Sequence, residues 1–397
     1  MTNSSAKEDF VLVGFSEQPQ LEKILFVAVL ISYLLTLVGN TLIILVSSID
    51  PKLKIPMYFF LTHLSLVDIC FTTSIVPQLL WNLKGPAKTI TSLGCAIQLY
   101  VSLALGSTEC VLLAVMAFDR YAAVCKPLHY TAVMNPRLCQ VLAGVAWLSG
   151  AGNALIQGTV TLWLPRCGCR RLHHFLCEVP SMIKLACVDI HANEIQLFVA
   201  SLVLLLLPLA LILMSYGHIA KAVINIKSVQ AWHKALGTCG SHLTVVSLFY
   251  GSAAANYIQP NSSYAHTFGK FVSLFYTVII PTLKFFCYCI CVRMCVKNST
   301  KSNIWPRWVQ AISRIRIRVT CLNLFYCIDR SKVKKLKIMY ICICGLWLDM
   351  EMYKIFAIHF MYITYTQNYI YICVCVCVCV CVCVCVYLGP PSYSFLL

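Results

Sequence analysis

Seven stretches of apolar sequence, each about the length of a membrane-spanning helix, limit this chain to very few folds. They fall at residues 24–47, 57–80, 96–120, 139–162, 195–220, 237–258 and 270–291. A bilayer core about 30 Å thick takes roughly 20 helical residues. Backbone amides in lipid have no water to bond, so each span must satisfy its own hydrogen bonds as a helix. Short polar or proline-containing connections, such as Ile49-Asp50-Pro51-Lys52 and Lys84-Gly85-Pro86, separate the spans. Only 11% of residues are charged, against about a quarter in a soluble domain. The expectation is an all-α membrane protein, a seven-transmembrane-helix bundle with an aberrant C-terminal tail.

Residues 1–23 are polar and carry Glu8, Asp9, Glu17 and Glu22, so no secretory signal is expected and the first span serves as its own insertion signal. The connections after the first, third and fifth spans carry Lys52, Lys54, Lys126, Arg137, Lys227 and Lys234 with little acid besides Asp50. The opposite connections are also basic but partly offset by Glu178, Asp189 and Glu194. The positive-inside bias therefore leans only weakly toward an external N-terminus. Asn3-Ser4-Ser5 and Asn261-Ser262-Ser263 are glycosylation sequons that would then both face outside. Asn3 is the glycosylation candidate.

Cys167, Cys169, Cys177 and Cys187 lie in the long fourth connection, and Cys95 sits at the matching end of the third span. Cysteines grouped on one face suggest an oxidising exterior where disulfides persist. The alternative is cysteine acting as a small hydrophobe. Five is odd, so at least one thiol stays free or pairs elsewhere.

Met116-Ala117-Phe118-Asp119-Arg120-Tyr121 stands at the end of the third span. A carboxylate beside an arginine at a membrane boundary can hold it in an ion pair until a change of packing frees it, which is the logic of a two-state switch. A bare Asp-Arg-Tyr would be no more than an interfacial anchor. Here the triplet lies within MAFDRYAAVCKPLHY, residues 116–130. That run resembles the signature of vertebrate odorant (olfactory) receptors, a branch of the rhodopsin-like G-protein-coupled receptors. Gly39-Asn40, PMYFFLTHLSLVDIC at 56–70, Ser215-Tyr216, KALGTCGSHLTVVSLFYG at 234–251 and FYTVIIPTL at 275–283 resemble the same family in the same order.

The resemblance implies roles for matching positions. Asp119, Arg120 and Tyr121 would face the G protein, with Tyr216 and His242 in the activation machinery. Cys95–Cys177 and Cys167–Cys187 would be disulfides, leaving Cys169 as the odd one. Asn40 and Asp68 would form a polar core, with Asp68 in an interhelical polar or sodium site. An ionisable residue inside a bilayer is costly and functional by default, although a purely structural hydrogen-bonding role is the alternative. The ligand pocket would lie between spans three, five and six. Ser102, Leu103, Gly106 and Ser107 of the third span, Ala200 and Leu204 of the fifth, and Tyr250 and Tyr257 of the sixth are its candidates. Tyr250 and Tyr257 are about two turns apart and share a face. Such a lining is apolar, with a few hydroxyls and no inward carboxylate or ammonium, and suits small, volatile, mostly uncharged molecules.

The function so implied is an odorant receptor of the plasma membrane, coupled to a heterotrimeric G protein of the stimulatory, olfactory type that raises cyclic AMP. Its partners would be odorant, G protein and membrane lipid, with no nucleic acid. No cofactor and no metal are expected. His173-His174 near the loop cysteines suggests zinc less well than a disulfide loop explains the cysteines. No nucleophile–base pair or phosphate loop stands out, so an enzyme is not expected. A transporter or channel would need inverted repeats or a polar pore lining, and neither is visible.

The family's seventh span continues into Asn-Pro-x-x-Tyr, but here the sequence reads Lys284-Phe285-Phe286-Cys287-Tyr288. Lys284 places a charge within the bundle, at about 2.5–3.5 kcal/mol on insertion scales unless it snorkels or pairs. Beyond residue 291 no resemblance is evident. Residues 1–23 are read as an extracellular N-terminus, 24–291 as the receptor domain and 292–397 as an atypical tail. Within that tail, residues 373–386 are seven Cys-Val repeats. A TG-dinucleotide tract translated in that frame gives such a repeat, so the expectation is read-through into noncoding sequence. The alternative is an eighth span over 369–388, although strict alternation suits a strand better than a helix.

Overall fold

Each of the seven apolar runs, as far as its residues are described, forms a helix. The computed structural model describes residues 9–15, 19–85, 88–168, 170–224, 229–257 and 263–297. Helices α1 (Pro19–Ile49), α2 (Pro56–Lys84), α3 (Ser92–Cys125) and α4 (Pro136–Trp163) are continuous. Helix α5 comprises His191–Ser201, a π turn at Leu202–Leu206 and Leu207–Ile224. Helix α6 is Val229–Tyr257. Helix α7 comprises Ser263–Leu274, a π turn at Phe275–Ile279 and Ile280–Lys297. Among the described residues, six of these helices carry a stretch long and apolar enough to cross a membrane. The remaining one, α6, has 29 residues, about 43 Å at 1.5 Å per residue.

Local chemistry sets the helix starts. Pro56 and Pro136 occupy the first turns of α2 and α4, where a missing N–H costs nothing. Thr91 Oγ1 accepts from the Gly94 N–H at 3.1 Å, and Asn135 Oδ1 from the Leu138 N–H at 2.9 Å; each cap satisfies one orphan donor. The two π turns have a common cause. Pro208 and Pro281 each lie two residues beyond one of them. A proline inside a helix leaves the carbonyl four residues earlier unbonded and clashes with it. Those carbonyls belong to Leu204 and Thr277, both within the widened turns, and one extra residue relieves the clash.

Helix α3 is the axle of the bundle, packing against α2, α4, α5 and α6. Leu99, Leu112, Leu113 and Ala117 along it are fully buried. Small residues let its neighbours approach. A Cβ on Gly150 of α4 would stand 2.1 Å from Thr108 Oγ1 and 2.3 Å from the Ala104 carbonyl oxygen of α3. Helix pairs in lipid use such small residues because apolar tails give them no hydrophobic drive to associate. Large apolar side chains are exposed on the outer faces, including Ile31, Leu34 and Val38 of α1 and Val145, Leu148 and Ile156 of α4. That is the distribution a lipid solvent requires.

One end of the bundle carries a cap that the apolar pattern does not announce. Strand β1 (Phe10–Leu12) pairs antiparallel with β2 (Thr89–Ile90) and parallel with β3 (Arg171–Leu172). Phe10, Leu12, Ile90, Leu172 and Met182 pack around Cys95 and Cys177 beneath this small sheet. Lys270 Nζ of α7 donates to the Gly14 carbonyl at 2.7 Å, and Lys88 pairs with Glu22.

Candidate functional site

The opposite end of α3 carries the Asp-Arg-Tyr triplet. Asp119 is fully buried, and one of its oxygens, Oδ2, accepts from Arg120 Nε at 3.0 Å and pairs with Nη2 of the same guanidinium. The other, Oδ1, accepts from the Tyr130 hydroxyl at 2.7 Å. Tyr130 opens a short helical turn, Tyr130–Val133, in the connection to α4. Burial, and then the Asp119 carboxylate beside it, raise the pKa of the Tyr130 hydroxyl, so it stays a donor. Tyr121 contacts the His218 ring of α5 at 5.7 Å between centroids. Separately, Tyr216 of α5 and His242 of α6 share a buried hydrogen bond of 2.8 Å between Oη and Nδ1. Four of the five switch candidates thus form two couples, Asp119–Arg120 at the end of α3 and Tyr216–His242 joining α5 to α6, while Tyr121 reaches His218 of α5.

The middle of the bundle holds a charge cluster. Asp68 of α2 is buried as expected, but its partner is Lys284 of α7. Lys284 Nζ also donates to Glu109 Oε1 of α3 at 2.7 Å. A carboxylate thus also reaches the interior from α3, within electrostatic range of the pocket candidate Tyr250, where the expected pocket lining has no inward carboxylate. Glu109 escaped the sequence reading, although it stands 11 residues before Arg120, about three helical turns and so on the same face. Asn40 is buried but bonds to its own helix through the Thr36 carbonyl at 3.0 Å. Among the described residues no hydrogen bond joins it to Asp68. Thr36 and Thr282 link α1 to α7 at 2.8 Å between hydroxyls.

The pocket candidates divide. Gly106 is half-buried, and a Cβ there would meet no atom within 4 Å, so open space lies beside the middle of α3. The π turn of α5, which holds half-buried Leu204, packs against α3, and Ala200 one turn earlier is half-buried too. Tyr250 is buried, and among the described residues its hydroxyl has no hydrogen-bond partner, while Cys110 and Glu109 lie within electrostatic range. Leu103 packs under Val179 and Ile183 of the long connection. Ser102 turns its hydroxyl to the Leu99 carbonyl of its own helix at 3.1 Å. Ser107 is diverted: it accepts from Asn153 Nδ2 of α4 at 2.8 Å, because the small residues of α4 bring that helix close. The Tyr257 side chain lies outside the described residues, as do Asn3, Asn261, Cys169 and the tail from residue 298.

At the sheet-capped end, Cys95–Cys177 and Cys167–Cys187 are disulfides with Cα–Cα distances of 5.5 and 5.9 Å. The first ties the long connection to the start of α3. Gln98 reinforces that tie, its Oε1 accepting from the Cys177 N–H at 2.8 Å. Among the described residues, no group of three or more His, Cys, Asp or Glu side chains is placed to hold a metal ion.

A seven-helix bundle with this triplet, this loop disulfide and these motifs matches a known family. The family model described as olfactory receptor covers residues 29–304. The chain belongs to the olfactory receptor family. It is 62% identical to human Olfactory receptor 2G3 over 281 residues, which is 71% of this chain and 91% of that protein. It is 58% identical to human Olfactory receptor 2H1 over 283 residues, 71% and 90% of the two chains, and 56% identical to human Olfactory receptor 2G2 over 300 residues, 76% and 94%. An olfactory receptor is a rhodopsin-like G-protein-coupled receptor and a multi-pass membrane protein, not an enzyme. The family match itself runs to residue 304. Lys284 and Phe285 therefore lie inside the matched range.

Proposed function

We propose that this olfactory receptor sits in the plasma membrane with its N-terminus outside, binds small and mostly uncharged odorants, and activates a stimulatory G protein of the olfactory type to raise cyclic AMP. The observation that carries this reading is the Arg120–Asp119 pair at the end of α3, pinned by Tyr130, with the Tyr216–His242 couple joining α5 to α6. In that arrangement the guanidinium is neutralised by its own neighbour. An agonist that favours the alternative packing would free Arg120 for the G protein, and the Tyr216–His242 bond would follow the movement of α6. Odorant would occupy the space beside Gly106, between α3, the π turn of α5 and Tyr250. The Tyr250 hydroxyl is a buried donor free to orient a carbonyl or ether oxygen. The two disulfides, sequon glycosylation at Asn3 and a receptor domain over residues 24–291 belong to the same reading, as does contact with membrane lipid.

The test is expression of the full chain with an olfactory-type stimulatory G protein and a cyclic AMP reporter, against a panel of volatile ketones, esters and alcohols. A dose-dependent response that Arg120→Ala abolishes at equal surface level supports the reading. A second reading rests on Lys284 and Phe285 standing where the family has Asn-Pro: the chain is retained inside the cell and does not signal. Antibody staining of unpermeabilised cells separates the two. Restoring the family's asparagine and proline with the double substitution K284N/F285P would raise the surface signal under the second reading and leave it unchanged under the first.

A further inference from the structure

The charge cluster at the centre of the bundle joins three helices through one side chain. Lys284 is 1% exposed and Asp68 2%, and Glu109 is 6% exposed. The ammonium touches a carboxylate of α2 on one side and a carboxylate of α3 on the other, at 2.7 Å from Glu109 Oε1. Two carboxylates buried this deeply repel each other and lack the hydration that would offset their charge, so they need a cation between them. In this chain the cation is covalently part of α7. It arrives on a four-carbon stem from the position where the family's seventh span has asparagine, a neutral side chain.

We infer that Asp68 and Glu109 form a monovalent-cation site, and that Lys284 Nζ is its permanent occupant, so the bundle takes no ion from solution at its centre. An ion held from solution can leave when the helices move. A tethered ammonium cannot, and any rearrangement that separates α7 from α2 or α3 must break a desolvated ion pair. The Lys284 stem thus works as an internal strap across α2, α3 and α7. It also explains how α7 carries a charge at mid-membrane: the charge is paired on two sides.

The test uses the full chain solubilised in detergent, with thermal unfolding followed in sodium chloride and in choline chloride of equal ionic strength. Choline is too large to enter a site shaped for an ammonium head. The wild-type Tm is expected to be the same in both salts. Lys284→Met keeps the length and removes the charge. Its Tm is expected to fall in choline and to rise in sodium by on the order of 2–4 °C, as binding to the folded state alone requires. Equal sodium stabilisation of wild type and K284M would overturn the inference, since the ammonium would then not fill the site. So would a K284M protein indifferent to sodium, since the carboxylates would then not form one. Should K284M fail to fold, D68N/E109Q and D68N/E109Q/K284M decide the matter. With both carboxylates gone the ammonium has no partner, so the triple variant is expected to be the more stable and equally stable in both salts. A double variant as stable as the triple would overturn the inference.

Discussion

Gly39 of α1 lies against the ring of Phe285 of α7, so closely that a Cβ at position 39 would stand 2.5 Å from Phe285 Cγ. The nearest aromatic atoms are part of a side chain that is itself 5% exposed and has little room to move. Hydroxyl contacts between Thr36 and Thr282 hold the same two helices together one turn away. Gly39 is therefore a packing requirement where α1 meets α7.

Gly39→Val is expected to destabilise the bundle by about 1–3 kcal/mol, the usual cost of overpacking a filled interior. Gly39→Val with Phe285→Ala should recover most of that loss, because the smaller side chain vacates the space. Thermal unfolding of the two variants in detergent measures both effects. If the second substitution adds its own penalty without rescue, the contact is not the cause.

His174 gives the sheet-capped end a pH dependence. Burial lowers its pKa from the ordinary 6.5, with Glu178 at 3.4 Å pulling the other way and Lys270 adding to the lowering. Its ring stacks on Phe175 at 4.7 Å. Above the ordinary value the ring is neutral whether the chain is folded or not, and it contributes no slope. As pH falls below 6.5, the unfolded chain takes up a proton that the folded one resists, so stability falls. Between about pH 7.5 and about pH 5.5 the wild-type Tm should drop more than that of His174→Phe, which keeps the ring stacking and cannot titrate. Parallel curves for the two proteins would remove His174 from the account.

On the proposed mechanism, Tyr130 restrains Asp119 from outside α3. Tyr130→Phe removes the 2.7 Å bond to Asp119 and leaves the ring in place. Because Tyr130 is half-exposed, the bond is worth roughly 1 kcal/mol after solvent screening. Losing it should shift the inactive–active balance by about fivefold. Basal cyclic AMP per surface receptor is expected to rise, and Asp119→Asn should raise it further by loosening the guanidinium as well. Basal signal unchanged in Y130F at matched surface level would show that the bond does not restrain activation.

The helices were legible because lipid imposes one rule on every span: a run of about 20 apolar residues must bond its own backbone. The same rule hides what varies within a span. Pro208 and Pro281 stood in plain sight, yet a proline fixes only that the helix must adjust, and the choice of a π turn over a kink depends on what packs alongside. Glu109 carries no signal in the sequence because it sits in an apolar run with no local partner; its partner is 175 residues away on α7. Ser107 faced the expected direction along α3, but Gly150 lets α4 close in, and Asn153 takes the hydroxyl. The sheet of β1, β2 and β3 pairs segments about 80 and about 160 residues apart in sequence, each too short to carry a periodic signal. What sequence periodicity cannot convey is this class of pairing between distant segments.

The two disulfides should differ in both worth and lability. Cys95–Cys177 spans 82 residues, and both sulfurs are buried under the sheet, Cys95 1% and Cys177 0% exposed. Cys167–Cys187 spans 20 residues and joins two exposed positions. In the chain-entropy account a cross-link stabilises by limiting the unfolded chain, at about 4.5 kcal/mol for the longer loop and about 3.3 kcal/mol for the shorter. Burial separates them further, because exchange requires a thiolate to reach the sulfur. Graded reduction of the folded receptor, with alkylation and peptide mapping, should therefore label Cys167 and Cys187 well before Cys95 and Cys177. Cys95→Ser should cost more surface expression than Cys167→Ser, since it also frees the Cys177 end of the connection that Gln98 holds against α3. Simultaneous reduction of the two bonds, or equal loss from the two substitutions, would mean that the sheet does not shield the inner bond.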